Sequence, residues 1–245
     1  MSHSQKTSYE NIAENYLTGA ETKPFINHYE RPCMLKNIPP LKEKKVLDLG
    51  CASGFYSKYC LDNGAGVIAV DASPKMIKHT GRICENSPRL QTFLHDLSEP
   101  LDFITPGSVD IIIASLVLHY IENWTIPLKE FSRILKPGGT CLISTHHPMM
   151  DYTLFNQEDY FNKRLINDEW AGFPEPLKVR YFVRPLNEYI QPMLDSGMAL
   201  KKLLEPQPDE SLRGLDQKIF TRLCKKPAFL FFILERSIDE KQNCL

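Results

Sequence analysis

The segment that most constrains the fold is Val46-Leu47-Asp48-Leu49-Gly50-Cys51-Ala52-Ser53-Gly54. A short apolar run ending in glycine reads as a buried strand and its turn. A glycine turn between a strand and a helix lets backbone approach a ligand closely, and the helix start leaves N–H donors free. A chain that opens its core this way must bury the strand under crossover helices.

The rest of the sequence supplies them. Residues 54–62 read as a helix stopped by Asn63-Gly64, and residues 66–71 as a second strand. Ser73-Pro74 offers an N-cap and a proline at the first helical position, opening a helix to about Glu85. Residues 90–94, 109–114 and 140–145 read as further strands, with a helix over 126–136. Strands alternating with crossover helices imply parallel pairing. Residues 200–204 and 228–236 follow a helix over 186–196, with only loop and one helical turn between them, which predicts a closing antiparallel hairpin. Helices over 8–17 and 24–36 precede the core, and residues 146–184, rich in aromatic and polar side chains, read as an insertion covering a site. The fold class expected is α/β: a doubly wound, mostly parallel sheet.

Three ligand readings compete at the glycine turn. A phosphate-binding Walker loop needs Gly-Lys-Ser/Thr, which Gly54-Phe55-Tyr56 lacks. A dinucleotide fingerprint begun at Gly50 needs glycine at Ala52 and a small residue at Phe55. The acidic-x-Gly-x-Gly-x-Gly pattern fits at Asp48, Gly50 and Gly54 and departs at Ala52. Positive φ at Ala52 would cost about 1–2 kcal/mol. The expectation is therefore an ordinary conformation there, or a slightly altered turn.

Asp71 ends the second strand about twenty residues on, where a carboxylate accepts hydrogen bonds from ribose hydroxyls and repels a 2′-phosphate; as a bare turn residue it would only lead into Ser73-Pro74. Asp96 and Leu97 follow the third strand, and Ser115 and Leu116 close the fourth. These are carboxyl ends, where open α/β sheets bind ligands.

The runs VLDLGCASG, VIAVDASPKMI, HDL, SVDIIIASLVLHYIENW and EFSRILKPGGTCLIS resemble, in that order, the class I S-adenosylmethionine-dependent methyltransferases, in the branch related to ubiquinone and menaquinone biosynthesis. The resemblance covers residues 8–145 well and the rest loosely. It implies a Rossmann-like seven-stranded sheet with an antiparallel last strand, and S-adenosyl-L-methionine as cofactor, leaving S-adenosyl-L-homocysteine. Gly50 and its neighbours Asp48, Cys51, Ala52 and Gly54 would cradle the methionine moiety. Asp71, followed by Ala72 and Met76, would hold the ribose; Asp96 and Leu97 the adenine. Ser115 and Leu116 would border the approach to the sulfonium. Tyr16, in a Tyr-x-x-x-Ala-x-x-Tyr helix begun at Tyr9, would close over the cofactor. The organisation expected is one domain over 1–245: helical cap 1–40, cofactor-binding core 41–145, lid 146–184, and C-terminal helix with two strands 185–245.

A sulfonium is an activated methyl donor, so the protein mainly positions an acceptor; aligned placement supplies up to about 7–11 kcal/mol in favourable cases. A base is needed only where the acceptor loses a proton. His146 and His147 lie just after the fifth strand and His119 after the fourth, and each reads equally as a loop histidine. Tyr152, Trp170, Phe173, Tyr181 and Arg184 offer an aromatic acceptor pocket or a lid packed on itself. An inactive binder of the same cofactor, or an NAD-dependent oxidoreductase, remain the alternatives.

Composition narrows the partners. A formal net charge of -1 gives no overall field toward nucleic acid or anionic lipid. Seven cysteines, an odd number without a CxxC pair, oppose a disulfide framework or zinc site, so no metal is expected. The first residues carry no apolar leader and no apolar run reaches membrane length, which predicts a cytoplasmic protein, monomer or homodimer, acting on a small-molecule acceptor.

Overall fold

The computed structural model describes residues 17, 19, 23–155, 158–170 and 176–238. Helix 8–17 except Leu17, with Tyr9 and Tyr16, and Phe173 lie outside them. A π-helical turn Ile26–Glu30 runs into α1 (Arg31–Asn37). The core then alternates β1 (Lys45–Leu49), α2 (Phe55–Asp62), β2 (Gly66–Asp71), α3 (Pro74–Ile83), β3 (Leu90–Leu94), β4 (Val109–Ser115), α4 (Thr125–Ile134) and β5 (Leu135–His146). After these come α5 (Pro148–Leu154), β6 (Arg164–Trp170), β7 (Leu177–Val183), α6 (Asn187–Asp195), β8 (Met198–Leu204), α7 (Ser211–Leu215), α8 (Gln217–Leu223) and β9 (Phe229–Arg236).

The main sheet has seven strands in the order β3-β2-β1-β4-β5-β9-β8. β1 to β5 pair in parallel, and β9 runs antiparallel to both β5 and β8. This is the doubly wound Rossmann-like sheet that the sequence predicts. Both faces are covered, so the central strands are apolar throughout rather than alternating with polar residues. Leu47, Leu49, Ile112, Ala114 and Ile143 pack toward α4 and α6 through Leu128, Phe131 and Tyr189. Val46, Val67, Ile111, Ile113 and Leu142 pack toward α1, α2 and α8 through Met34, Cys60 and Phe220. The period-2 alternation of the strands sorts these residues between two layers.

The N-cap reading holds: Met76 N donates to Ser73 Oγ (3.4 Å), with Pro74 at the first helical position. Cys51, Cys60, Cys84 and Cys141 are buried and unpaired, as small apolar residues.

Four boundaries differ from expectation. β5 begins at Leu135 rather than residue 140, because Pro137-Gly138-Gly139 forms a bulge inside the strand. A Cβ on Gly139 would lie 2.8 Å from the Lys136 carbonyl, so only glycine fits there. His146, expected to open the insertion, is the last residue of β5. The expected cover contains α5 and a separate ribbon, β6–β7, paired antiparallel from Arg164↔Val183 to Trp170↔Leu177. Between the last two strands stand two short helices, α7 and α8, where one turn was expected.

Candidate active site

The strand order reverses between β1 and β4, so a crevice opens at their carboxyl ends. The glycine turn fills one wall. Gly50, Ala52 and Gly54 have φ of 68°, 47° and 76°. Ala52 thus takes the left-handed conformation that sequence reasoning expected it to avoid. Gly50 N and Cys51 N both donate to Val70 O (2.8 and 3.0 Å), locking the turn across the end of β2. A Cβ on Gly50 would sit 2.4 Å from Val117 Cγ2, so the two walls touch there. No side chain caps α2 at Gly54.

Asp71 is fixed by the same turn. Ala52 N donates to Oδ2 (3.0 Å) and Ser73 N to Oδ1 (2.9 Å). An ionised carboxylate has about four acceptor positions, so capacity for a hydroxyl donor remains beside these N–H groups. Burial raises the Asp71 pKa, opposed by N–H groups of Ala52, Ser73 and Ala72. Below it, buried Asp48 accepts from Ser57 Oγ (2.6 Å), and burial pushes its carboxyl up to about 7. Asp48 therefore anchors α2 to β1 from inside rather than facing the crevice. Met76 and Leu97 are buried, and Asp96 accepts from Ser98 N (3.0 Å) and Ser98 Oγ (2.8 Å).

The facing wall is the end of β4. Leu116, like Ala52, has positive φ (46°); its N–H donates to Ser144 O (3.0 Å) and Ser144 Oγ (3.1 Å). Bulky residues rarely adopt this conformation, which costs about 1–3 kcal/mol and tends to cluster at ligand sites. Ser115, partly exposed, donates to Glu30 Oε1 (2.8 Å). Glu30 also accepts from Ser144 Oγ (2.7 Å, on Oε1) and Tyr56 OH (2.6 Å, on Oε2), and is 1% exposed. Sequence reasoning missed Glu30, Tyr56 and Ser144. Only Tyr56, in the first turn after the glycines, carried a positional hint.

Beyond Ser115 the sheet edge holds a second cluster. His146 stacks on His119 (ring centroids 4.3 Å apart) and meets Tyr181 edge-on (4.5 Å). His146 Nδ1 lies 3.7 Å from Asp151 Oδ1. Among the described residues neither nitrogen of His119, nor His146 Nδ1, nor either oxygen of Asp151 has a hydrogen-bond partner. Burial holds His146 down at about 3, holds His119 well below the usual imidazole range, and lifts Asp151 well above the usual carboxylate range. The trio is buried and polar, an arrangement that demands partners. Tyr181 and Trp170 roof it from the β6–β7 ribbon. Arg184 points elsewhere, donating to the carbonyls of Ile121 (2.6 Å) and Glu122 (3.3 Å).

His147 stands apart from this trio. Its Nδ1 accepts from Met149 N (3.1 Å), capping α5, and its Nε2 contacts Glu205 Oε1 (2.7 Å). Both ring nitrogens are engaged. Among the described residues no group of histidine, cysteine and carboxylate side chains is arranged to hold a metal ion.

The fold and crevice define an α/β protein with a nucleotide-type ligand site at its switch point. Residues 47–143 match the family model described as "Methyltransferase domain". An uncharacterized protein of Haemophilus influenzae is 34% identical over 124 residues, 49% of each chain. The malonyl-[acyl-carrier protein] O-methyltransferase of Halalkalibacterium halodurans is 25% identical over 174 residues, 66% of this chain and 64% of the relative. This chain thus spans about half to two thirds of the length of those curated relatives. A crystal structure of an S-adenosylmethionine-dependent methyltransferase from Mesorhizobium loti shares the fold, with TM-score 0.70 and 21% identity over 86% of this chain and 100% of that one.

Proposed function

We propose that this chain transfers a methyl group from S-adenosylmethionine to a small-molecule acceptor held under the β6–β7 ribbon. One observation carries the reading: the loops after β1 and β4, the strands between which the order reverses, each hold a non-glycine residue at positive φ, Ala52 and Leu116, and Ala52 anchors the Asp71 carboxylate. When bound, S-adenosylmethionine supplies a methyl group already activated on a sulfonium. Gly50, Cys51, Ala52 and Gly54 would line its methionine end, Asp71 and Ala72 its ribose, and Met76, Asp96 and Leu97 its adenine. Ser115 and Leu116 would border the sulfonium. Residue types support this: Asp71 retains acceptor capacity for a hydroxyl, and no side chain caps the N-terminus of α2.

The acceptor end is the trio His119, His146 and Asp151. Its unpartnered nitrogens and oxygens orient a polar group, and the aromatic roof excludes water. His146 is the residue we assign to take a proton where the acceptor sheds one, a role that requires the bound acceptor to lift its pKa from the value of about 3 that burial imposes. His147, considered beside it as a base, is better read as a helix cap. A relative named for O-methylation of a malonyl group supports small-acceptor chemistry. The net charge of -1 favours neither nucleic acid nor membrane as partner. Among the described residues no helix is long and apolar enough to cross a membrane, in keeping with the cytoplasmic placement, as monomer or homodimer, that completes this reading.

Calorimetric titration with S-adenosylmethionine, S-adenosylhomocysteine and NADH in parallel tests it. Binding of both sulfur nucleotides and not NADH is expected. Tight NADH binding with no response to either sulfur nucleotide overturns the donor assignment.

A further inference from the structure

Glu30 is the buried carboxylate with the least obvious reason to be where it is. It sits in the π-helical turn before α1, 1% exposed, and among the described residues no ion pair involves it. Arg31, next in sequence, lies over the Phe55 ring and donates to Asn27 Oδ1 (2.5 Å). Three hydroxyls, from Tyr56, Ser115 and Ser144, donate to the Glu30 oxygens. Three O–H groups can all donate to an ionised carboxylate, so the arrangement accommodates the charged form. Desolvation opposes that charge and raises the Glu30 pKa, with the hydroxyls and, less strongly, the charge of Arg31, which makes no ion pair with it, pulling the other way. A buried charge without a counter-ion is costly, and such charges are retained where something pairs with them.

Its donors locate that something. Tyr56 follows the glycine turn by two residues and Ser115 ends β4, so they bracket the switch-point crevice from its two walls. Ser115 is only partly buried, and its Oγ is 2.8 Å from Glu30 Oε1. A group in contact with Ser115 Oγ thus comes within about 6 Å of the carboxylate. A fixed positive charge there gains from a negative one in proportion to how little water separates them.

We propose that Glu30 is the counter-charge for the sulfonium, making the crevice prefer the positively charged donor over the neutral thioether left after transfer. The proposal rests on S-adenosylmethionine being the donor. It gives the site a direction: loss of the methyl group removes the charge that Glu30 favours, and the spent nucleotide leaves more readily than the donor. Glu30 acts through space and through Ser115, as a specificity-determining residue.

The two nucleotides make a matched pair of probes. They share adenosine, the α-ammonium and the carboxylate, and differ in one methyl and one charge. Calorimetry on Glu30→Gln, which keeps an acceptor for the hydroxyls, is expected to show S-adenosylmethionine weakened about tenfold or more and S-adenosylhomocysteine by less than about threefold. Glu30→Asp should restore part of the preference. Equal weakening of both would make Glu30 purely structural and overturn the proposal. Failure of the unaltered protein to bind either nucleotide would instead sink the donor reading.

If Glu30→Gln does not fold, the unaltered protein still decides. The nitrogen analogue of the donor, with an N-methyl amine in place of the sulfonium, is titrated at about pH 8 in two buffers of different ionisation heat. Proton uptake by the amine on binding supports the counter-charge, and binding without uptake overturns it.

Discussion

Ala52 donates its backbone N–H to the Asp71 carboxylate at 3.0 Å, so the strained turn after β1 and the carboxylate that ends β2 form one unit. Ala52 holds a left-handed φ of 47° in that turn. The strained residue and the anchored carboxylate are therefore directly bonded.

Ala52→Gly is expected to leave stability unchanged or raise it by up to about 1 kcal/mol. Relief of the left-handed penalty exceeds or cancels the added chain entropy of glycine. Urea unfolding measures this; a loss above about 1 kcal/mol would mean that the Ala52 methyl packs. Gly50→Ala should cost about 2 kcal/mol or more, since its Cβ would press into Val117 at 2.4 Å with φ at 68°.

Asp71→Asn should weaken S-adenosylhomocysteine binding about tenfold, as charge-assisted hydrogen bonds become neutral ones. Asp71→Ala should weaken it further and loosen the turn, because Ala52 N and Ser73 N lose their acceptor. Unchanged affinity in both variants removes Asp71 from the ligand site.

The two adjacent histidines are expected to separate. His146→Phe keeps the ring stacked on His119 and should slow turnover by about 10²–10⁴-fold with S-adenosylhomocysteine affinity unchanged. His147→Ala should lower stability by about 1 kcal/mol through the lost cap and leave turnover intact. The reverse pattern would transfer the proton-accepting role to His147.

Asp48 predicts a pH dependence of stability. Its carboxyl is held at about 7 in the fold, chiefly by burial, against about 3.9 in the unfolded chain. The folded state binds the extra proton, so the stabilisation it gives is complete below about pH 4 and is lost as pH rises through 7. Urea midpoints should fall between about pH 5 and 8, and Asp48→Asn should flatten part of that slope. An unchanged slope in the variant would assign the dependence to Glu30, Asp71 and Asp151, whose pKa values are raised by burial too.

What the sequence reveals follows the range of the interactions involved. β1, the Ser73 cap and the five-strand parallel core are specified by neighbours in the chain, and they stand where periodicity and capping place them. β7 is legible in the sequence, since Leu177, Val179, Tyr181 and Val183 alternate inward in strict period two, although the aromatic and polar content of residues 146–184 points only to a cover. Glu30 was not legible. Its three partners lie 26, 85 and 114 residues away, and in a helical stretch a glutamate looks like any solvated charge. Asp151 was hidden likewise, since an acid in the first turn of α5 has an ordinary local explanation in the helix dipole.

Among the described residues the β6–β7 ribbon is a sheet of its own, with no strand pairing to the seven-stranded sheet. A strand inside that sheet cannot be lengthened or exchanged without disturbing the register of its neighbours, whereas the ribbon has no register to keep with them. The roof over His146 is therefore free to vary while the donor crevice beneath stays fixed. Grafting other ribbons between residues 163 and 184 should retune which acceptors enter, on a scaffold whose grip on its donor is left as it was.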